Sequence, residues 1–241
     1  MLEMKKHPSS TAELIRKSIE EKGERYWRHD DFSTLPPAAV SKTLSRLSQE
    51  GYLQRVSKGL YYRPRQTRFG RSHPSQSDIQ QLPTKQKLRP AGLSAANLLR
   101  FTTQNAVQGE FATSATSVPR SIIGVRARLH TRRPETWDKL SPLEASLLDF
   151  LRSRGRLSEL SPAETKRHLL DYFREGDRFE RLANVATAEP PRVQAMIGAI
   201  GQELGKSPEV LEKLRNGLNP LSRFDFGILR NLHYAKEWQA K

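Results

Sequence analysis

The sequence predicts an α+β chain: an N-terminal winged helix-turn-helix, a mixed α/β segment, and a mainly helical C-terminal part. Three observations carry this. Residues 30–64 hold an amphipathic helix that stops at Gly51, followed by two apolar stretches bracketing Ser57-Lys58-Gly59. Residues 111–129 are rich in Val, Ile, Thr and Ala, with Pro and Gly between, a strand composition. From Ser141 onward the period is helical and the device Ser-Pro-x-Glu occurs twice.

The elements follow in order. Residues 11–22 read as a helix with Leu14, Ile15 and Ile19 on one side. Thr11 stands where a cap is wanted, although Glu13 comes one residue early for a capping box with it. Tyr26-Trp27 reads as a short strand pairing with the wing. Val40, Leu44 and Leu47 are spaced i, i+4, i+7, so they share one helix face. Pro37 suits the first helical turn, where its missing N–H has no partner to lose. Pro36 before it offers no side-chain acceptor to the helix start. Gly51 supplies the left-handed residue that ends a helix. Leu53 and Val56, then Leu60 and Tyr62, form a hairpin around the Gly59 turn.

Opposite the apolar stripe of the second helix lie Ala38, Ser41, Lys42, Ser45, Arg46 and Gln49. These are small or hydrogen-bonding side chains, as a helix entering a major groove needs. Around and beyond the hairpin stand Arg55, Ser57, Lys58, Arg63, Arg65, Arg68 and Arg71, and residues 51–75 contain no acid. Base contacts are expected mainly from Ser41, Lys42, Ser45 and Gln49. Phosphate contacts are expected mainly from Arg55, Lys58, Arg63 and Arg65.

Residues 63–78 are rich in Pro, Gly, Ser and Arg and read as a linker. Residues 90–101 read as a buried helix of small and apolar residues. Residues 111–118 and 122–129 read as strands, with Val125, Ala127 and Leu129 alternating with Arg126, Arg128 and His130. That basic face either meets nucleic acid or is the wet face of an antiparallel sheet. Ser141-Pro-Leu-Glu144 and Ser161-Pro-Ala-Glu164 open helices, and 178–187, 191–204 and 207–215 read as further helices. Asn219-Pro220 interrupts the pattern, and 226–238 reads as a last helix.

Charge supports the division. The net charge is +15 over 241 residues. Residues 1–75 carry 15 basic and 8 acidic side chains, residues 76–135 carry 9 and 3, and residues 136–241 carry 17 and 15. The excess therefore sits in the first half, where it attracts a polyanion with salt-dependent affinity. The near-neutral remainder points to a structural or protein-contact role.

Chemistry-bearing patterns are sparse. The chain has no cysteine, which excludes disulfides, thiolate chemistry and cysteine-ligated zinc. Its six His are not paired at helical spacing, so no local metal site is visible. There is no P-loop, dinucleotide fingerprint or nucleophile elbow. Gly92-Leu93-Ser94 sits in an apolar helix start, and Asp171, Glu175 and Asp177 read as a solvated helix end. No catalytic residue, cofactor or metal is expected. No run nears the roughly 18 apolar residues of a membrane span, and the start MLEMKKHPSS lacks a signal-peptide core. A cytoplasmic chain with no membrane partner is expected.

The stretches GERYWRHDDF, AVSKTLSRLSQEGYLQRVSKGLYYRPR and Phe69-Gly70 resemble the N-terminal module of AbiEi-like antitoxins, specifically the DUF6088 branch of type IV toxin–antitoxin proteins. The resemblance continues through the run from Leu88 to Leu99, Thr103-Gln104, and the ending from Leu218 to Gly227. It implies a bacterial antitoxin whose N-terminal domain represses its own operon on double-stranded DNA, at inverted repeats of its promoter. It further implies a C-terminal part that counteracts a nucleotidyltransferase-type toxin. By position, residues 37–50 correspond to the recognition helix and 53–62 to the wing. The expected domains are 1–66, DNA-binding; 67–80, a basic linker; and 81–241, antitoxin-like, α/β to about 135 and helical beyond. The alternative is a nucleic-acid-acting enzyme, nuclease-like, targeted by its winged domain.

Overall fold

A computed structural model describes residues 10–68, 70–72, 74–75, 78–79, 87–104, 106, 109–123 and 126–241. The expected Phe69 and Val125 positions, and parts of the 67–80 linker, fall outside them. The chain is mixed α/β, about half helical, with small sheets. It divides into two compact units: residues 1–83 with 118–125, and residues 84–117 with 126–241.

The first unit begins with α1 (Thr11–Lys22). Its cap is Ser10, one residue before the expected Thr11. The Ser10 hydroxyl accepts from the Glu13 N–H and the Glu13 carboxylate accepts from the Ser10 N–H, so Glu13 stands at the right spacing after all. Strand β1 (Tyr26–Arg28) and a 3₁₀ turn (His29–Phe32) lead to α2 (Pro37–Gln49). A hairpin of β2 (Gln54–Ser57) and β3 (Leu60–Tyr62) follows, and β1 adds to it in the order β1-β3-β2, all antiparallel. Ile15, Ile19, Trp27, Phe32, Val40, Leu44, Leu47, Leu53 and Tyr61 form one core, with Trp27 and Phe32 stacked 5.5 Å apart.

Two further expectations change in this unit. Part of the presumed linker is a second hairpin, β4 (Gln66–Thr67) with β5 (Gly70–Arg71), tied at its base by bonds between Arg65 and Ser72. Residues 118–125, expected at the junction of two strands, rejoin this unit. Their Arg120–Ile123 is a helical turn, and the Tyr26 hydroxyl donates to the Ile122 carbonyl at 3.1 Å. Ile122 and Ile123 are buried, so two apolar neighbours that suit a strand are satisfied by a turn that seats both.

In the second unit, β6 (Arg89–Pro90) pairs antiparallel with β7 (Glu110–Ala112), which pairs parallel with β8 (Arg128–His130). Helix α3 (Gly92–Leu98) is shorter than the expected 90–101, because Arg89 and Pro90 belong to the sheet. Helices α4 (Pro142–Arg152), α5 (Pro162–Arg174), α6 (Arg178–Ala186), α7 (Pro191–Glu203) and α8 (Pro208–Asn216) follow the expected order. Their core includes Trp137, Phe150, Phe173, Phe179 and Ile197, with Phe101 and Phe150 stacked at 4.0 Å. The expected last helix is instead two 3₁₀ pieces, Gly227–Asn231 and Lys236–Trp238. Phe226, Leu229, Leu232, Ala235 and Trp238 are all buried. A strict three-residue period fits the three-residue turn of a 3₁₀ helix better than 3.6.

Both Ser-Pro-x-Glu devices form capping boxes. At α4 the cap is also a buried charge site. Glu144 is 4% exposed and accepts from the Ser141 N–H at 2.8 Å and from Arg181 at 2.5 Å. Burial alone raises its carboxyl pKa, but the Ser141 bonds and Arg181 outweigh burial and hold it below the ordinary value. A depressed carboxyl contributes stability above its unfolded pKa, and that contribution is lost as pH falls through the lower folded value. Ser141→Ala removes the acceptor for the Glu144 N–H and is expected to cost about 1 kcal/mol at neutral pH. Chemical denaturation curves read this directly; a change below about 0.3 kcal/mol contradicts it.

Candidate nucleic-acid interface

Helix α2 has two faces of different chemistry. Val40, Thr43, Leu44 and Leu47 are buried in the first core, whereas Ala38, Ser41, Lys42, Ser45, Arg46 and Gln49 are exposed. The exposed residues recur every three to four positions, which aligns them along one side of the helix. Arg46 lies 3.5 Å from Glu50, with both side chains about half exposed, so solvent screens the pair and its charge stays available. No acid occupies the first turn and Pro36 gives no side-chain cap, so the positive end of the helix is uncompensated there.

The hairpin carries the next cations. Arg55 and Lys58 are exposed, and neither side chain has an ion-pair partner among the described residues. Ser57 is half-buried, where the β2–β3 register shifts between Arg55 and Ser57. The shift bends the strand toward the tip, and Gly59 closes the turn at φ +73°. Beyond it, Arg65, Arg68 and Arg71 are exposed, with Arg65 3.9 Å from Glu24.

Arg63 differs from the other expected phosphate contacts. It is half-buried, its guanidinium lies 3.9 Å over the Tyr52 ring, and it donates to the Tyr52 hydroxyl. Arg16 approaches the same ring at 4.9 Å, and Tyr52 in turn donates to Glu20 at 3.1 Å. Arg63 is thus held as a structural brace. The spacing of charges along the chain contains no signal for this, because Tyr52 meets Arg63 only after the hairpin folds.

Glu24, Tyr52, Arg63, Arg65 and Arg71 border a cleft of about 340 Å³. Glu24 is kept below the usual carboxylate range, chiefly by the Ser72 hydroxyl and also by Tyr62. Burial pushes the Tyr62 phenol up, and its bond to Glu24 adds to the shift. Glu24, the one acid among the described residues of this cleft, is already engaged, leaving Arg65 and Arg71 as its exposed cations.

The other candidates resolve simply. Of the expected basic strand face, Arg126 lies in a turn before β8 and is exposed, Arg128 is exposed on β8, and His130 is bonded to Glu110 at 2.7 Å. Ser94 is buried, and its hydroxyl accepts the Glu110 N–H at 3.1 Å, tying α3 to β7. Asp171, Glu175 and Asp177 each pair with a nearby Arg at the helix surface. Among the described residues no group of His, Asp or Glu is arranged to hold a metal, and no helix is long and apolar enough to cross a membrane.

Residues 12–132 match a family of unknown function, DUF6088. The chain belongs to this family. The matched region runs from α1 to just past β8, so the family region contains both faces described above, and the α4–α8 helices lie beyond it. No curated protein matches the chain. Among solved structures, the crystal structure of the RV2827C protein from Mycobacterium tuberculosis is similar, with 15% identity and a TM-score of 0.47 over 98% of this chain and 92% of that one.

Proposed function

We propose that this member of the family is a DNA-binding autorepressor and antitoxin of a bacterial toxin–antitoxin operon. In this reading the first unit is a winged helix-turn-helix, with α2 as the recognition helix and the β2–β3 hairpin as the wing. The observation that carries it is the exposed row Ser41, Lys42, Ser45, Arg46 and Gln49 on α2, beside a hairpin whose Arg55 and Lys58 have no acidic partner among the described residues. Short polar side chains on a helix reach base edges, and flanking cations fix the register on phosphates. The antitoxin half rests on the resemblance of the Leu88–Leu99 and Leu218–Gly227 stretches to AbiEi-like proteins, and its partner is a nucleotidyltransferase-type toxin.

Gel shifts with the DNA upstream of the protein's own reading frame test the first half. Saturable binding at low salt is expected, weakening steeply as salt rises; no binding at low salt ends the proposal. Lys42→Ala is expected to cost about 1–3 kcal/mol on the preferred site and little on unrelated DNA, so it relaxes sequence preference. Equal losses on both DNAs remove α2 from the reading role. For the second half, the chain should restore growth to cells poisoned by a nucleotidyltransferase-type toxin, the kind the resemblance implies is encoded beside it. Failure to rescue overturns the antitoxin assignment and leaves the DNA result standing.

A further inference from the structure

The second unit has a cleft of about 520 Å³ that the DNA reading does not use. Arg133, Arg152, Arg154, Arg156 and Arg192 all line it. Three of them have carboxylate partners: Arg133 with Asp149 at 2.9 Å, Arg152 with Glu189 at 2.6 Å, and Arg154 with Asp225. Among the described residues the other two have none. Arg192 bonds, among those residues, only to the Arg152 carbonyl, at 3.1 Å, and its Nε is buried without a partner. The exposed Arg156 side chain has no hydrogen bond or ion pair among the described residues.

The two acids that face the cleft are already engaged. Asp149 accepts from the Gly92 N–H at 2.6 Å as well as from Arg133. Glu110 accepts from the Leu93 N–H at 3.1 Å and is bonded to His130. Gly92 is required there: its φ is +50°, and a Cβ would lie 2.0 Å from the Glu110 carboxylate. Both carboxylates are thus locked onto the start of α3, and only the charge of Asp225, already paired with Arg154, partly offsets Arg192 and Arg156.

The arrangement is electrostatically costly as it stands. The Arg192 pKa is lowered by burial first, then by the charge of Arg154, with Arg156 and Arg152 adding to it and Asp225 only partly opposing. Arg154 adopts φ +62° at the end of α4, a left-handed position that favours glycine, and still carries its guanidinium to the cleft. Arg192 and Pro190 sit at the start of α7, whose first turn has no acid, so the positive helix end adds to the same field. Strain and like-charge crowding persist in a fold where something offsets them. Leu157 and Pro190 give the cleft an apolar wall.

We propose that this cleft binds the phosphate groups of a small organic phosphate of nucleotide size, held by Arg192, Arg156 and Arg154 with its organic part against Leu157 and Pro190. Forked guanidiniums match phosphate oxygens, and the volume lies within the usual range of small-molecule sites. The site does not depend on the DNA assignment.

Isothermal titration of the full chain at constant chloride tests it, with ATP, AMP and inorganic phosphate as separate probes. ATP or AMP is expected to saturate one site, at least tenfold more tightly than inorganic phosphate. Arg156→Ala, an exposed position that leaves the core intact, and Arg192→Met should each weaken binding about tenfold or more, the loss of one charged hydrogen-bonding group. Lys58→Ala, on the first unit, should leave it unchanged. Absence of saturable binding overturns the site, as does binding unaffected by Arg156→Ala. Affinity equal for inorganic phosphate overturns the organic ligand, and loss with Lys58→Ala relocates the binding to the first unit.

Discussion

Trp238→Ala will lower stability by about 3–5 kcal/mol, the cost of emptying a fully packed aromatic site. The ring is 1% exposed. Its indole N–H donates to Gln202 at 2.7 Å, and Arg215 covers the ring at 4.8 Å. Gly198 of α7 is the other half of the contact: a Cβ there would fall 2.1 Å from the ring. A glycine inside a helix costs about 0.5–1 kcal/mol relative to alanine, so its presence is explained by the ring it admits. The pair therefore predicts a sign change. Gly198→Ala in the native background should destabilise by about 1–3 kcal/mol through overpacking. In the Trp238→Ala background the same change should be neutral or stabilising by up to about 1 kcal/mol. Denaturant unfolding of the four chains gives the cycle; additive effects would mean that the ring and the glycine do not share the site.

That contact marks the boundary of what the sequence could reveal. Local devices were legible: the Ser141 and Ser161 boxes need only four adjacent residues, and both form. The face of α2 was legible because Val40, Leu44 and Leu47 fix which side is buried and hence which is exposed. The C-terminal 3₁₀ pieces resemble a helix in sequence, because a spacing of three is compatible with a helix over one or two turns. Only the full run from Phe226 to Trp238 separates period 3.0 from 3.6. The return of residues 118–125 to the first unit depends on where Tyr26 and the β2 strand lie, which no local pattern states. Arg63 was read with its neighbours because charge alone does not say which cation meets an aromatic ring. The arginine cleft combines residues 133, 152–156 and 192, each of which reads singly as an ordinary surface cation.

On the proposed DNA-binding role, the combined variant Arg55→Gln, Lys58→Gln, Arg68→Gln should weaken binding to DNA on the order of a hundredfold near physiological salt. All three side chains are exposed and without an ion-pair partner among the described residues, so the fold should be indifferent to their loss. Each phosphate contact contributes a slope of about 0.9 in log affinity against log salt, which at about 0.15 M amounts to roughly fivefold. Three contacts multiply to about a hundredfold, and the salt slope should fall by nearly three. The loss should be equal on the preferred site and on unrelated DNA, since phosphates carry no base identity. Arg63→Ala supplies the contrast. Its guanidinium braces Tyr52, so its removal should lower the melting temperature by the equivalent of about 1 kcal/mol, with the salt slope nearly unchanged. Fluorescence anisotropy across a salt series measures affinity and slope together. A triple variant that keeps the native slope would take the hairpin out of the interface, and an Arg63→Ala slope that falls by one would return that side chain to it.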